Sequence, residues 1–245
     1  MNNIEERKKY IHLFDLDGTL TPSRESMTES FVHEFLPWLK DNQCYIATGS
    51  DIKKVEEQVP LDVLNYFSGI FTSMGNVFYK KGNLVYKNDF EPSVELISYL
   101  ENLRSFSKYP YQKYQNYIEK RIGMINFSVL GRDCPHNERE KYSAWDEVHK
   151  ERLQIQSILQ EKYPELNFEL GGKISIDIVP KGFGKEQIAS YIRKLHPTEK
   201  LVFWGDRTMP GGNDYSLAQA MMQMSNTEVN QVSGPEQVLE MIKDY

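Results

Sequence analysis

The feature that most constrains this chain is a local pattern that recurs along it: a short apolar run that stops at glycine or polar residues. Tyr10 to Phe14, Cys44 to Ala47, Gly69 to Thr72 and Leu201 to Trp204 all follow it. Runs this short read as strands buried on both faces, and such a break is expected at the carboxyl end of a parallel strand. Helical patterns lie between them. Met27 to Lys40 spaces Phe31 and Phe35 four apart, and Glu186 to Leu195 puts Ile188, Ile192 and Leu195 on one face. Strand alternating with helix predicts an α/β core built on a parallel sheet.

The middle of the chain has a different period. Met124 to Leu130 alternates, with Ile125, Phe127 and Val129 on one side, and Ile174 to Val179 alternates in the same way. Period two indicates half-buried antiparallel strands. Ser175 and Asp177 then project together from the face opposite Ile174, Ile176 and Ile178. Val148, Ile155, Ile158 and Leu159 mark an amphipathic helix between the two strands. The expected organisation is a core of residues 1–84 and 182–245 with an α+β insert at 85–181. The tyrosine-rich stretch Tyr109 to Tyr117 reads as a surface loop leading into a helix.

Composition narrows the function classes. The 245 residues are 40% hydrophobic and 26% charged, the balance of a globular protein with a packed core. A net charge of −6 argues against a general nucleic-acid surface. The two cysteines, Cys44 and Cys134, form neither a disulfide framework nor a zinc pattern, which suits a reducing, cytoplasmic setting. The first residues lack the long apolar stretch and cleavage site of a signal peptide, and no apolar run approaches the length of a membrane helix.

The chemistry concentrates at the strand ends. Phe14-Asp15-Leu16-Asp17-Gly18-Thr19-Leu20 sets two carboxylates two residues apart directly after a strand, and Gly18 permits the chain to curl so that both face one site. Paired carboxylates suit a hard cation such as Mg²⁺. With charge so offset, one carboxylate can attack phosphorus and the other can shuttle a proton. Gly205-Asp206 and then Gly211-Gly212-Asn213-Asp214 follow the last apolar run. Asp206 offers a third carboxylate to the metal, and Asn213 and Asp214 can orient the ligands. Thr48, Gly49 and Ser50 follow the second run, where hydroxyls and backbone N–H groups can hold a phosphate oxygen. Lys185 opens the helix after the insert and supplies a cation to balance phosphate and aspartate.

In order and spacing these elements resemble the haloacid-dehalogenase phosphotransferases. The strings DGTLTPSR, RIGMINFSVLGRDC, NEREKY, GGKISIDIVPKGFGK and FWGDRTMPGGND extend the resemblance to the eukaryotic-type α-phosphomannomutases over nearly the whole chain. The resemblance implies a haloacid-dehalogenase-like core with an inserted cap that closes over the substrate. It implies that Asp15 is the nucleophile, Asp17 the general acid/base, and that Asp15, Asp17 and Asp206 serve Mg²⁺. It further implies that Arg24, Arg121, Arg132 and Arg139 clamp the distal phosphate, and that Ser175 and Asp177 bind sugar hydroxyls. Arginine forks fit phosphate better than ammonium groups do, which supports that assignment.

The implied activity interconverts mannose 6-phosphate and mannose 1-phosphate, with a hexose 1,6-bisphosphate as activator, in the mannose metabolism that leads to GDP-mannose. The implied assembly is a homodimer through the cap. A sugar-phosphate phosphatase on the same scaffold is the alternative, since the core strings are shared and only the cap arginines separate the two. The chain departs from the family at Arg121-Ile122-Gly123-Met124, where Asn is usual at 122, and at Ser73-Met74-Gly75, where Glu-Asn-Gly is usual. Leu217 to Asn226 replaces an acidic, proline-containing loop that holds an extra cation in the family.

Overall fold

The computed structural model describes residues 10–245. Strands β1 (Tyr10–Phe14), β2 (Gln43–Ala47), β3 (Gly69–Thr72), β4 (Val77–Lys80) and β5 (Asn83–Lys87) come first. Between them lie α1 (Glu29–Asp41), α2 (Ile52–Gln58) and α3 (Leu61–Leu64). The segment Asn88–Lys181 forms the body of a second unit, with α4 (Val94–Ser105), β6 (Ile118–Arg121), β7 (Met124–Ser128), α5 (His136–His149), α6 (Glu151–Lys162), β8 (Leu166–Gly171) and β9 (Ser175–Pro180). The chain then returns to the first unit with α7 (Gln187–Leu195), β10 (Lys200–Gly205), α8 (Tyr215–Met222), β11 (Thr227–Gln231) and α9 (Pro235–Met241).

The first unit is a seven-stranded sheet in the order β11-β10-β1-β2-β3-β4-β5. The strands from β11 to β3 run parallel, and β4 and β5 close one edge as an antiparallel hairpin. Alternate residues of β1 feed two cores: Phe14 packs with Phe31, Phe35 and Trp204, and Leu13 packs with Phe71, Ile188, Ile192 and Leu217. Helix α1 starts at Glu29 because the Thr28 hydroxyl accepts from the Phe31 N–H at 3.2 Å, an N-cap that satisfies one orphan donor. Its Phe31, Phe35 and Leu39, spaced by four, are the buried stripe. In α7 the buried face is Ile188, Ala189 and Ile192, and Leu195 is 44% exposed, so the expected apolar face ends one turn early. No helix among the described residues is long and apolar enough to cross a membrane.

The second unit is an antiparallel sheet in the order β6-β7-β9-β8. Ile125, Phe127, Ile176 and Ile178 face the helices and share a core with Leu96, Leu100, Ile155 and Leu159. Two expectations fail here. The single amphipathic helix is two helices, α5 and α6, because Lys150 takes a left-handed backbone (φ 55°) and ends the first one. Ile155 and Leu159 are buried, whereas Val148 and Ile158 are exposed. The tyrosine-rich stretch leads into strand β6 rather than a helix. Ile118 to Arg121 pairs with β7, and Arg104 pins the loop by donating to the Tyr114 and Val129 carbonyls at 2.6 and 3.2 Å. Tyr109 is buried against Tyr142 and Trp145 rather than lying on the surface.

Candidate active site

Register places the acids. Phe14 of β1 lies beside Trp204 of β10, so Asp15 and Asp206 leave neighbouring parallel strands at the same carboxyl edge, where open α/β sheets bind ligands. The Asp15 N–H donates to the Trp204 carbonyl at 2.8 Å, carrying the ladder one residue further. Gly18 then turns the chain with φ 87°, and a Cβ there would come within 2.5 Å of the Asp206 carboxylate. Glycine is required at that position on both counts.

Three carboxylates converge. Oxygens of Asp15, Asp206 and Asp214 all lie within 4.8 Å of one another. Lys185, fully buried, donates to Asp15 Oδ1 at 2.6 Å and to Asp214 Oδ1 at 2.5 Å. Asp15 Oδ2 and Asp206 Oδ1 are buried with no hydrogen-bond partner. Burial and the neighbouring Asp214 raise the Asp15 carboxyl well above its usual range, against the pull of Lys185. Burial, again with Asp214, pushes Asp206 up to about 6. Burial works against the Lys185 ammonium, but two adjacent carboxylates outweigh it and hold its proton more firmly. One ammonium faces three carboxylates, two of them buried and Asp206 half-buried, so the cluster has room for further positive charge. The two unpartnered oxygens and this deficit fit a hard divalent cation with oxygen ligands.

Asp17 turns elsewhere. Its Oδ1 accepts from the Arg24 N–H at 2.7 Å and from Gln58 Nε2 at 2.9 Å, and its Oδ2 accepts from the Ser50 hydroxyl at 3.3 Å. The Asp17 side chain therefore does not belong to the three-carboxylate cluster. Ser50 lies in the loop after β2, where its N–H also donates to Thr48 Oγ1 at 3.0 Å. Arg24 itself is exposed and takes a left-handed backbone (φ 65°).

In the second unit, the face of the sheet opposite its apolar core is polar and mostly buried. One row across it reads Glu119, Asn126, Asp177 and Glu169. Asn126 Nδ2 donates to Asp177 Oδ1 at 2.5 Å. Arg132 donates through Nη1 to Asn126 Oδ1 at 2.5 Å and to the Ser175 hydroxyl at 3.4 Å. Arg121 Nη2 and Arg132 Nε both meet Glu119 Oε2, at 2.7 and 2.6 Å. Arg139 donates to the Arg132 carbonyl at 2.7 Å. Arg121, Arg132, Arg139, Ser175 and Asp177 thus belong to this unit, and Arg24 to the other.

Sequence reading gave Gln58, Glu119 and Asn126 no role, and gave Asp214 only an orienting one. Glu119 carries a usable signal, since it stands two residues before Arg121 on a strand and so shares its face. Asn126 carries one too: it is the polar position between Ile125 and Phe127 and so faces away from the core. Gln58 carries none; it reaches Asp17 across 41 residues from the last turn of a helix.

A parallel sheet of this order, with acids at the carboxyl ends of β1 and β10 and an inserted α+β unit, defines the haloacid-dehalogenase-like class. Solved structures agree at the level of fold: a haloacid dehalogenase-like hydrolase from Bacteroides thetaiotaomicron superposes with a TM-score of 0.61 at 15% identity, covering 97% of this chain and 99% of that one. A subclass IIB sugar phosphatase of the same superfamily gives 0.58 at 16% identity, covering 97% of this chain and 98% of that one. The sequence comparisons are narrower. The model of the eukaryotic phosphomannomutase family matches residues 32–245. A phosphomannomutase of Dendrobium officinale is 33% identical over 241 residues, covering 95% of this chain and 92% of the relative. One of Galdieria sulphuraria is 34% identical over 227 residues, covering 89% of each. The chain belongs to the eukaryotic phosphomannomutase family.

Proposed function

We propose that this protein interconverts mannose 6-phosphate and mannose 1-phosphate, with Asp15 as the phosphate-accepting nucleophile. Family membership gives the reaction class. The observation that carries the reading on to this chain's residues is the cluster of buried Asp15, Lys185 and Asp214 with half-buried Asp206, in which two carboxylate oxygens are unpartnered. Asp15 and Asp206 would hold Mg²⁺ with Asp214 beside them, and Asp17 would assist through its backbone. The cation would offset the negative charge shared by phosphate and carboxylates.

In the forward step an Asp15 carboxylate oxygen bonds to phosphorus of a hexose 1,6-bisphosphate, and the phosphorus–sugar oxygen bond breaks. Asp17 gives its proton to the departing sugar oxygen. In the return step Asp17 takes the proton of the sugar hydroxyl that attacks the aspartyl-phosphate. Lys185 holds the Asp15 carboxylate in place and offsets charge as the phosphoryl group arrives. Thr48 and Ser50 hold oxygens of the phosphate being transferred. Arg24, Arg121, Arg132 and Arg139 hold the other phosphate, and Ser175 and Asp177 the sugar hydroxyls. That second phosphate site is what a mutase needs and a simple phosphatase does not, because its bisphosphate intermediate must bind in either orientation.

The proposal includes a cytoplasmic setting in mannose metabolism and a homodimer through the second unit; a sedimentation mass near a single 28.7 kDa chain would remove the dimer. The reaction is tested by supplying mannose 1-phosphate and catalytic hexose 1,6-bisphosphate with Mg²⁺ and measuring isomer against free phosphate. Formation of mannose 6-phosphate faster than phosphate is expected. The reverse ratio replaces the mutase with a phosphatase.

A further inference from the structure

Two of the four arginines assigned to the distal phosphate already share an anion of the protein's own. Oε2 of Glu119 accepts from Arg121 Nη2 at 2.7 Å and from Arg132 Nε at 2.6 Å. The two guanidinium side chains are 10% and 14% exposed and that of Glu119 is 34% exposed, so the three charges are largely withdrawn from water and interact strongly. The position follows from register: Glu119 opposes Asn126 across the hairpin and stands two residues before Arg121 on the same face. The rest of the neighbourhood fixes the other ends of the same forks. Arg132 Nη1 reaches Asn126 and Ser175, and its backbone carbonyl is held by Arg139.

We propose that Glu119 is a positioning residue that orients the Arg121 and Arg132 forks and limits how tightly they hold phosphate. The inference rests on the reading that these arginines take the non-reacting phosphate. A phosphate monoester carries nearly two negative charges at neutral pH. Two arginines offset by Asp177 alone would bind it more tightly than they do with Glu119 beside them, and tight binding of the bisphosphate opposes the reorientation on which each turnover depends. A substrate held equally well in ground and transition states gains nothing in turnover. Glu119 acts through the arginines: its carboxylate keeps both forks aimed while lowering the net positive charge that an incoming phosphate meets.

The test uses the full-length protein and mannose 6-phosphate as probe, titrated calorimetrically with EDTA present so that no turnover occurs. Glu119→Gln keeps an acceptor oxygen for the forks and removes the charge. It is expected to bind the probe roughly tenfold more tightly than the parent, about 1.4 kcal/mol. With Mg²⁺ and activator it should lower KM and kcat together. Glu119→Asp retains the charge and should stay within a few-fold of the parent. A residue that only braced the sheet would give the opposite sign: weaker binding, higher KM and a lower melting temperature in both variants. That result, or unchanged affinity in Glu119→Gln, overturns the proposal. Arg132→Ala separates the inference from the reading beneath it. If Arg132→Ala weakens the probe and Glu119→Gln does not tighten it, only the role of Glu119 falls. If Arg132→Ala leaves binding unchanged, the arginines do not hold phosphate and both fall.

Discussion

Lys185 Nζ lies 2.6 Å from Asp15 Oδ1, and both side chains are buried. The pair joins residues 170 positions apart, one at the end of β1 and the other just ahead of α7. Its second partner, Asp214, leaves the ammonium enclosed between two buried carboxylates.

Asp15→Asn should abolish turnover and leave the fold intact. The amide can still accept a hydrogen bond from Lys185, and it lowers the charge deficit of the cluster rather than raising it. Loss of the nucleophile removes many kcal/mol of transition-state stabilisation. Isomer formation and a urea melt check the two halves. Near-normal turnover would end the aspartyl-phosphate mechanism.

Lys185→Met should cost stability as well as activity. Removing the ammonium that pairs with both Asp15 and Asp214 takes away the counter-charge these two buried carboxylates have among the described residues. Breaking a buried pair in that way costs about 3–5 kcal/mol. Added Mg²⁺ should restore part of the lost melting temperature and none of the turnover. Equal stability with and without Lys185 would show that the carboxylates take up protons instead.

Arg132→Ala separates mutase from phosphatase chemistry. Arg132 touches Glu119, Asn126 and Ser175 in the second unit, whereas Asp15 belongs to the first. Loss of a charge-assisted hydrogen bond costs about 1.5–3 kcal/mol, roughly 10- to 150-fold. Mannose 1-phosphate turnover should fall by at least that factor, and hydrolysis of a small aryl phosphate should match the parent. An equal fall in both would make Arg132 structural.

What the sequence disclosed follows from how local each signal is. Strands β1, β2, β3 and β10 are buried on both faces, so their apolar runs and the acids that end them stand out in one dimension. The polar face of β7 and β9 was half legible: alternation gave Ser175 and Asp177 a common side, but only pairing of the strands sets Asn126 beside Asp177. Lys150 hid the break between α5 and α6, because the left-handed position that glycine usually marks is filled by lysine. Gln58 and Asp17 meet through tertiary packing alone, and no spacing announces it.

The Lys150 position yields a stability prediction of its own. At φ 55° its Cβ is strained, and the side chain is exposed. Lys150→Gly should stabilise the protein by about 1 kcal/mol, the usual cost of a side chain in the left-handed region. A urea melt of the variant beside the parent reads this directly, and a lower midpoint would show that the Lys150 side chain makes compensating contacts.

His12 gives the chain a pH dependence that can be assigned to one residue. It sits in β1 with no exposure, ringed by Phe14, Trp38, Trp204 and Tyr245. The Trp204 indole N–H donates to its Nδ1 at 3.2 Å, so the neutral ring carries its proton on Nε2. Burial lowers its pKa from 6.5 to about 3, with Glu228 opposing weakly. Unfolded, the ring takes up a proton below pH 6.5; folded, it stays neutral until about pH 3. The unfolded chain therefore binds more protons throughout that window, and stability falls as the pH drops through it. By pH 5 the loss due to His12 should reach about 2 kcal/mol relative to neutral pH. Carboxylates of raised pKa, Asp206 among them, push the other way over part of the range, so the test compares two proteins. Urea melts of the parent and of His12→Phe at pH 7 and pH 5 supply it. The substitution leaves the indole N–H without its acceptor, a loss that is the same at both pH values and cancels. The parent should lose about 2 kcal/mol more than the variant between the two. Parallel losses would mean that His12 is already protonated in the fold or still neutral in the unfolded chain, and the buried aromatic ring around it would carry no pH sensitivity.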